Sequence, residues 1–332
     1  MELEASYMKK INIGVIGSGF IVPVFIEQSK RFKEYHLVGI WGRHEEKLFG
    51  FKDEFEYYTT DLNRLLSDEK IDVVYVALPN KLHFEYAYKA LKHGKHVILE
   101  KPFTVTYKEA KTLIDYAHKH ELIIFEAITT IHNPLYKKVM KMVDKLGEIK
   151  MIECNFSQYS RRYDRFRKGE ILPAFDKKLA GGALYDLGVY NIHFVTRTFG
   201  EPYKVAYRAN IEKGVDTSGV LVMDYKNFKA VCIAAKDCKA ESYGQIQGDK
   251  GFIRCETTTS RCGAFRYKPN SGKEEFYCDN DKEEFTGWKH ELKEFRRLYM
   301  NKDFVKAKDY NDQTLIAVRV LEKAMRSAGL DY

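Results

Sequence analysis

The sequence lacks any apolar run of the about 18 residues that a membrane-spanning helix needs. It also lacks a C-x-x-C pair. Its six cysteines, at 154, 232, 238, 255, 262 and 278, are scattered, and no His pair stands beside them at zinc spacing. Neither a disulfide-stapled fold nor a metal site is expected, and the thiols are read as reduced, in a cytoplasm. Cys232, inside the apolar run Val231-Cys232-Ile233-Ala234-Ala235, reads as a small core hydrophobe. The first ten residues hold no apolar stretch with a cleavage site, so no secretory leader is expected, and residues 1–7 are set aside from the fold. Internal repeats and low-complexity linkers are absent. So is any block of five or more like charges: 55 Lys and Arg against 47 Asp and Glu give +8 spread along the chain, which points to neither a nucleic-acid nor a membrane partner. What remains is 332 residues of ordinary globular composition, 45% hydrophobic and 31% charged, enough for two domains.

The first 125 residues alternate strand-length apolar runs with helical spacing. Strands are expected at Ile11–Ile16, Tyr35–Trp41, Ile71–Leu78, His96–Leu99 and Leu122–Phe125, and helices at 21–33, 61–68, 82–93 and 107–120. Strands that are apolar throughout are buried on both faces, and their alternation with helices demands parallel pairing through crossovers. The fold class is therefore α/β, a doubly wound parallel sheet over residues 8–126. From about residue 148 strand-like runs follow one another closely, interrupted by helices at 182–199 and from 288 onward. This predicts an α+β second domain, 127–332, with a mostly antiparallel sheet.

The first strand runs into Gly17-Ser18-Gly19-Phe20-Ile21-Val22. The first glycine permits a tight strand-to-helix turn, and the second lets backbone N–H groups approach a pyrophosphate at the helix N-terminus. Val22 occupies the place of a customary third small residue. The second strand ends in Gly42-Arg43 rather than in an acid that would bind ribose hydroxyls. A guanidinium there suits a 2′-phosphate, so NADP is favoured over NAD.

Four more segments bear on the site: Leu78-Pro79-Asn80 with His83; Glu100-Lys101-Pro102; Glu126-Ala127 with Asn133-Pro134; and Gly181-Gly182-Ala183-Leu184-Tyr185-Asp186-Leu187-Gly188-Val189-Tyr190-Asn191-Ile192-His193. Together these resemble the glucose–fructose oxidoreductase / inositol dehydrogenase (Gfo/Idh/MocA) family of NAD(P)-dependent oxidoreductases, over residues 9–330. The resemblance implies a Rossmann domain, then an open-faced sheet domain through which subunits pair as homodimers or homotetramers. Many members carry His where Tyr190 stands. Those with Tyr include enzymes similar to dimeric dihydrodiol dehydrogenase and related sugar dehydrogenases.

These residues also have a physical reading. Lys101 falls where a strand C-terminus faces a ligand crevice, and Glu100 is suited to pair with it or with nearby backbone. Asp186, Tyr190 and His193 are spaced to share one helix face. A phenol with an ordinary pKa of about 10 needs help to act as a base, and a neighbouring Lys101 would favour the phenolate. The expected reaction is hydride transfer between the nicotinamide cofactor and a carbinol or carbonyl of a sugar, polyol or cyclic diol. Lys101, Tyr190 and Asp186 are expected to be catalytic. Gly17, Ser18, Gly19, Phe20, Ile21, Gly42, Arg43, Leu78, Pro79, Asn80, His83, Glu100 and Lys101 are expected at the cofactor. Arg161, Tyr163 and His193 join Lys101, Asp186 and Tyr190 around the substrate. The rival reading is a non-catalytic NAD(P)-binding regulator, which would have no use for a proton-transfer group.

Overall fold

Apolar strand runs pair side by side into a six-stranded parallel sheet. In the computed structural model, which describes residues 10–279 and 286–331, these strands are β1 Ile11–Ile16, β2 Tyr35–Trp41, β3 Tyr57–Thr59, β4 Val73–Val76, β5 His96–Glu100 and β6 Ile124–Ala127. Residues 1–7 and the outer domain limits, 8 and 332, lie outside the described residues. The order is β3-β2-β1-β4-β5-β6, every pair parallel, with the strand interiors buried on both faces. Helices α1 Ile21–Ser29, α2 Glu45–Leu48, α3 Leu62–Leu66, α4 His83–Lys92 and α5 Tyr107–Lys119 connect them. Strand order reverses between β1 and β4, and such a switch point opens a crevice at the strands' carboxyl ends. β3 was not expected: its three residues are too short to show a period.

The second sheet has eight strands in the order β14-β13-β12-β11-β7-β10-β9-β8. These are β7 Ile149–Ser157, β8 Lys204–Glu212, β9 Val215–Asp224, β10 Lys229–Ala235, β11 Tyr243–Gly248, β12 Gly251–Cys255, β13 Ala264–Pro269 and β14 Glu275–Cys278. All pairs are antiparallel except β7 with β10. The remaining helices are α6 Pro134–Met142, α7 Tyr163–Arg167, α8 Val189–Phe199, α9 Thr286–Asn301 and α10 Phe304–Ser327.

The single C-terminal helix expected from the sequence is two, broken where Lys302 adopts a φ of +49° and Asp303 caps α10 through Lys306 N. This break lets the helices fold back. Tyr35 Oη donates to Leu292 O at 2.7 Å and Thr314 Oγ1 to Glu126 Oε2 at 2.7 Å, so residues assigned to the second domain also brace the first. All six cysteines are free. Among the described residues no helix is long and apolar enough to cross a membrane.

Candidate active site

Three strand ends and one helix converge on the switch-point crevice. At the end of β1, Gly17 has a φ of +121°, and a Cβ there would lie 2.2 Å from Ala77 O, so only glycine fits. A Cβ on Gly19 would meet no protein atom within 4 Å. The turn therefore leaves an open cradle before α1, as a backbone bound closely by a pyrophosphate requires. Gly42, at the end of β2, comes near this turn: its Cβ would stand 3.4 Å from Ser18 Oγ. Arg43 is exposed beside it and has no partner among the described residues. Phe20 is 71% exposed, and the Arg162 guanidinium of the second domain lies over its ring at 4.6 Å. These features fit a dinucleotide.

Asn80, after β4, donates to Ala180 O at 2.7 Å and ties this rim to the second domain. His83 sits differently from the expectation. It is fully buried, with its ring nitrogens 2.8 Å from Pro102 O and Leu78 O, and burial pushes its pKa down. It clasps the ends of β4 and β5 together and presents nothing to a cofactor. Glu100 is likewise buried, accepting from Tyr75 Oη at 2.6 Å and Lys101 N at 3.1 Å, and burial raises its pKa. It supports the site from behind, because side chains alternate along β5 and Lys101 is the one that emerges.

Lys101 Nζ donates to the carbonyl O and to Oδ1 of Asp186, both at 2.9 Å, and lies 5.1 Å from the Tyr190 ring centroid. The other carboxylate oxygen, Oδ2, is 2.8 Å from Lys236 Nζ. Lys236 side-chain exposure is 3%, against 37% for Asp186, so the carboxylate alone of this pair reaches the crevice. Lys236 also donates to Ala174 O at 2.8 Å and lies over the Phe175 ring at 4.4 Å. Burial would raise the Asp186 pKa. The two ammoniums outweigh it and hold the carboxyl well below the usual carboxylate range. Burial also opposes the charge on Lys101, but Asp186 more than compensates and raises that pKa. Lys236 escaped the sequence analysis; its one signal is a lysine directly following the apolar β10 run, where a strand end opens on the crevice.

The sequence Gly181-Gly182 makes the turn that delivers Asp186. A Cβ on Gly181 would fall 2.7 Å from Pro173 O, and one on Gly182, whose φ is +133°, 1.9 Å from Asp216 Oδ1. Asp216 is fully buried, and its Oδ2 accepts from Leu184 N and Tyr207 Oη, both at 2.8 Å, which anchors the start of the helix. Burial pushes its pKa up to about 6. Leu184–Gly188 is a π-turn that passes into α8. Wide turns of this kind are frequent at functional sites.

Tyr190 is partly exposed, and its hydroxyl has no hydrogen-bond partner among the described residues. Its pKa is pushed up to about 12, first by burial and then by Glu100, Asp186 and Glu291, with Lys101 pulling the other way. Lys101 does favour the phenolate, as expected, but its pull is smaller than the sum of burial and three carboxylates, so the net shift is upward. His193 is buried rather than open to the crevice. It is 1% exposed, and its Nε2 lies 3.2 Å from Glu126 Oε2. Tyr163 is also buried, packed with Phe166 and Phe175, its hydroxyl donating to Glu212 at 2.5 Å, so it is core. Arg161 is exposed on the adjoining loop.

Residues 11–128 match the sequence family described as an oxidoreductase family with an NAD-binding Rossmann fold, and residues 136–254 match the GFO/IDH/MocA C-terminal domain. The chain is 30% identical to the scyllo-inositol 2-dehydrogenase (NADP(+)) IolU of Bacillus subtilis, covering 97% of this chain and 98% of that one. It is 28% identical to a D-xylose 1-dehydrogenase (NADP(+)) of Hypocrea jecorina over 76% of this chain and 68% of the relative. Among solved structures, the 3-ketoreductase KijD10 of Actinomadura kijaniata with NADP and TDP-benzene superposes with a TM-score of 0.85 over 96% of this chain and 98% of that one, at 20% identity. That last likeness is one of fold.

Proposed function

The chain belongs to the oxidoreductase family that joins an NAD-binding Rossmann fold to the GFO/IDH/MocA C-terminal domain, and from that premise we propose an NADP-preferring dehydrogenase or reductase of a sugar, polyol or cyclic diol, with Tyr190 as its acid/base. The carrying observation is the partly exposed Tyr190, whose hydroxyl has no hydrogen-bond partner among the described residues and whose ring centroid lies 5.1 Å from Lys101, itself ion-paired with Asp186. The dinucleotide, when bound, supplies the hydride exchange. Gly17, Ser18, Gly19, Phe20 and Ile21 would cradle its pyrophosphate, Gly42 and Arg43 its 2′-phosphate end, and Leu78, Pro79 and Asn80 the far wall.

With a pKa of about 12, Tyr190 holds its proton near neutrality and is ready to donate it to a substrate carbonyl. In the oxidative direction it must first lose that proton, so below the pKa the competent fraction grows about tenfold per pH unit. Asp186, kept anionic by Lys101 and Lys236, accepts a hydrogen bond from a substrate hydroxyl. Lys101 orients that carboxylate and steadies negative charge on the phenol oxygen. Arg161, at the mouth, is free to meet a polar substrate.

The proposed compartment is the cytoplasm. Self-association through the eight-stranded sheet, as a homodimer or homotetramer, belongs to the same proposal. The test follows absorbance at 340 nm with NADP+ or NAD+ against scyllo-inositol, myo-inositol, D-xylose and cyclic diols. The reading expects turnover with at least one of them, faster with NADP+; absence of turnover despite cofactor binding would favour the regulator.

A further inference from the structure

Away from the crevice, a cavity of about 440 Å³ opens between α9 and the stretch where β6 passes through the turn Thr129–His132 into α6. It shares no lining residue with the site above. Among the described residues its lining holds five cationic or imidazole side chains besides His132, against the single acid Glu294. Two are already answered: Arg297 by Glu294 at 2.9 Å and Asp303 at 2.7 Å, and Arg296 by Glu34 at 2.5 Å. Lys137 and Lys293, exposed at the rim, have no carboxylate partner among the described residues. Burial, together with Lys306, Arg197 and Arg297, pushes the Lys137 pKa down despite Glu294, as expected where positive charge is in excess.

The lining's most informative member is His132. It is 2% exposed, its ring stacks on Phe125 at 5.0 Å, and neither ring nitrogen has a hydrogen-bond partner among the described residues. Buried imidazole nitrogens are ordinarily satisfied. Burial and the surrounding cations push the pKa of this ring well below its ordinary value, so it is neutral and offers one N–H donor and one lone pair. The N-terminus of α6 supplies no competing donor, because Asn133 Oδ1 already accepts from Leu135 N and Tyr136 N.

We propose that this cavity binds a phosphoryl group, as inorganic phosphate or as part of a small phosphorylated metabolite, between the rim lysines and His132. With a second pKa of about 6, a phosphate monoester carries both acceptor oxygens and, in part, an O–H. Its O–H can donate to the imidazole's lone pair while the other oxygens face the lysines, and the volume leaves room for an attached carbon skeleton. The inference does not depend on the reaction proposed above.

Isothermal titration calorimetry of the full chain with inorganic phosphate, and separately with glucose 6-phosphate and glucose, tests it. Saturable binding of phosphate or glucose 6-phosphate is expected, with none of glucose, and a tighter glucose 6-phosphate arm would identify a metabolite as the source. Affinity is expected to fall at least tenfold in Lys137→Ala/Lys293→Ala. It should also fall in His132→Phe, which keeps the ring on Phe125 and loses both nitrogens. Neither change should alter NADPH affinity, which separates this cavity from the dinucleotide crevice. No saturable binding, an affinity unchanged in the lysine double variant, or equal affinity for sulfate, which has no O–H, would overturn the assignment.

Discussion

A carboxylate with an ammonium on each oxygen cannot serve as a proton acceptor near neutral pH, and this decides the division of labour in the crevice. Asp186 is held ionised by Lys101 and Lys236, while Tyr190 keeps its proton. In the proposed reaction Lys236 would act through Asp186, as a positioning residue. Replacing it by Met removes one of the two charges, so the Asp186 pKa must rise. Lys236→Met is therefore expected to lower kcat about tenfold or more and to move the acid limb of the pH profile upward, while Lys236→Arg restores most of both. A uniform loss with an unchanged pH profile would mean that Lys236 is merely structural. Arg43 gives a second test at this scale. Arg43→Ala should weaken NADPH at least tenfold, about the worth of a charge-assisted contact, and leave NADH nearly unchanged; equal losses would assign the side chain to adenine stacking.

At the scale of elements, the segment Gly181–His193 shows what pattern reading captures and what it misses. The two glycines, Asp186 and Tyr190 were legible because their residue types are costly in any other setting. The π-turn was not, because a single wide turn leaves no periodic trace, and the burial of His193 against Glu126 of β6 is a long-range contact that spacing does not encode. Similar limits apply elsewhere. β1, β2, β4, β5 and β6 announce themselves as doubly buried apolar runs, whereas β3, β13 and β14 are short or edge strands with weak alternation. Lys236 was hidden because its function comes from β10 lying parallel to β7, a long-range pairing that local spacing does not encode. The turn itself is testable. Gly182→Ala would force a side chain into a φ of +133° and against Asp216, and is expected to cost roughly 2–4 kcal/mol in urea unfolding. A loss under about 0.5 kcal/mol would show that the turn relaxes freely.

At the scale of the whole molecule, neither sheet holds a complete site. The glycine turn, Arg43 and Lys101 come from the parallel sheet; Asp186, Tyr190, Lys236 and Arg162 come from the second domain. Contacts from Asn80 to Ala180, Lys101 to Asp186 and Arg162 to Phe20 stitch the two across the crevice, while α9 and α10 brace them from behind. In the proposed reading, that division would place the cofactor on one body and the proton donor on the other. The most direct measurement compares wild type and Tyr190→Phe in steady-state turnover on the best sugar or polyol, alongside a fluorescence titration with NADPH. The account predicts turnover reduced about a hundredfold or more with NADPH affinity within about twofold of wild type, and wild-type oxidation that climbs with pH through the neutral range. Turnover within about threefold of wild type would remove Tyr190 from the chemistry and contradict the central claim.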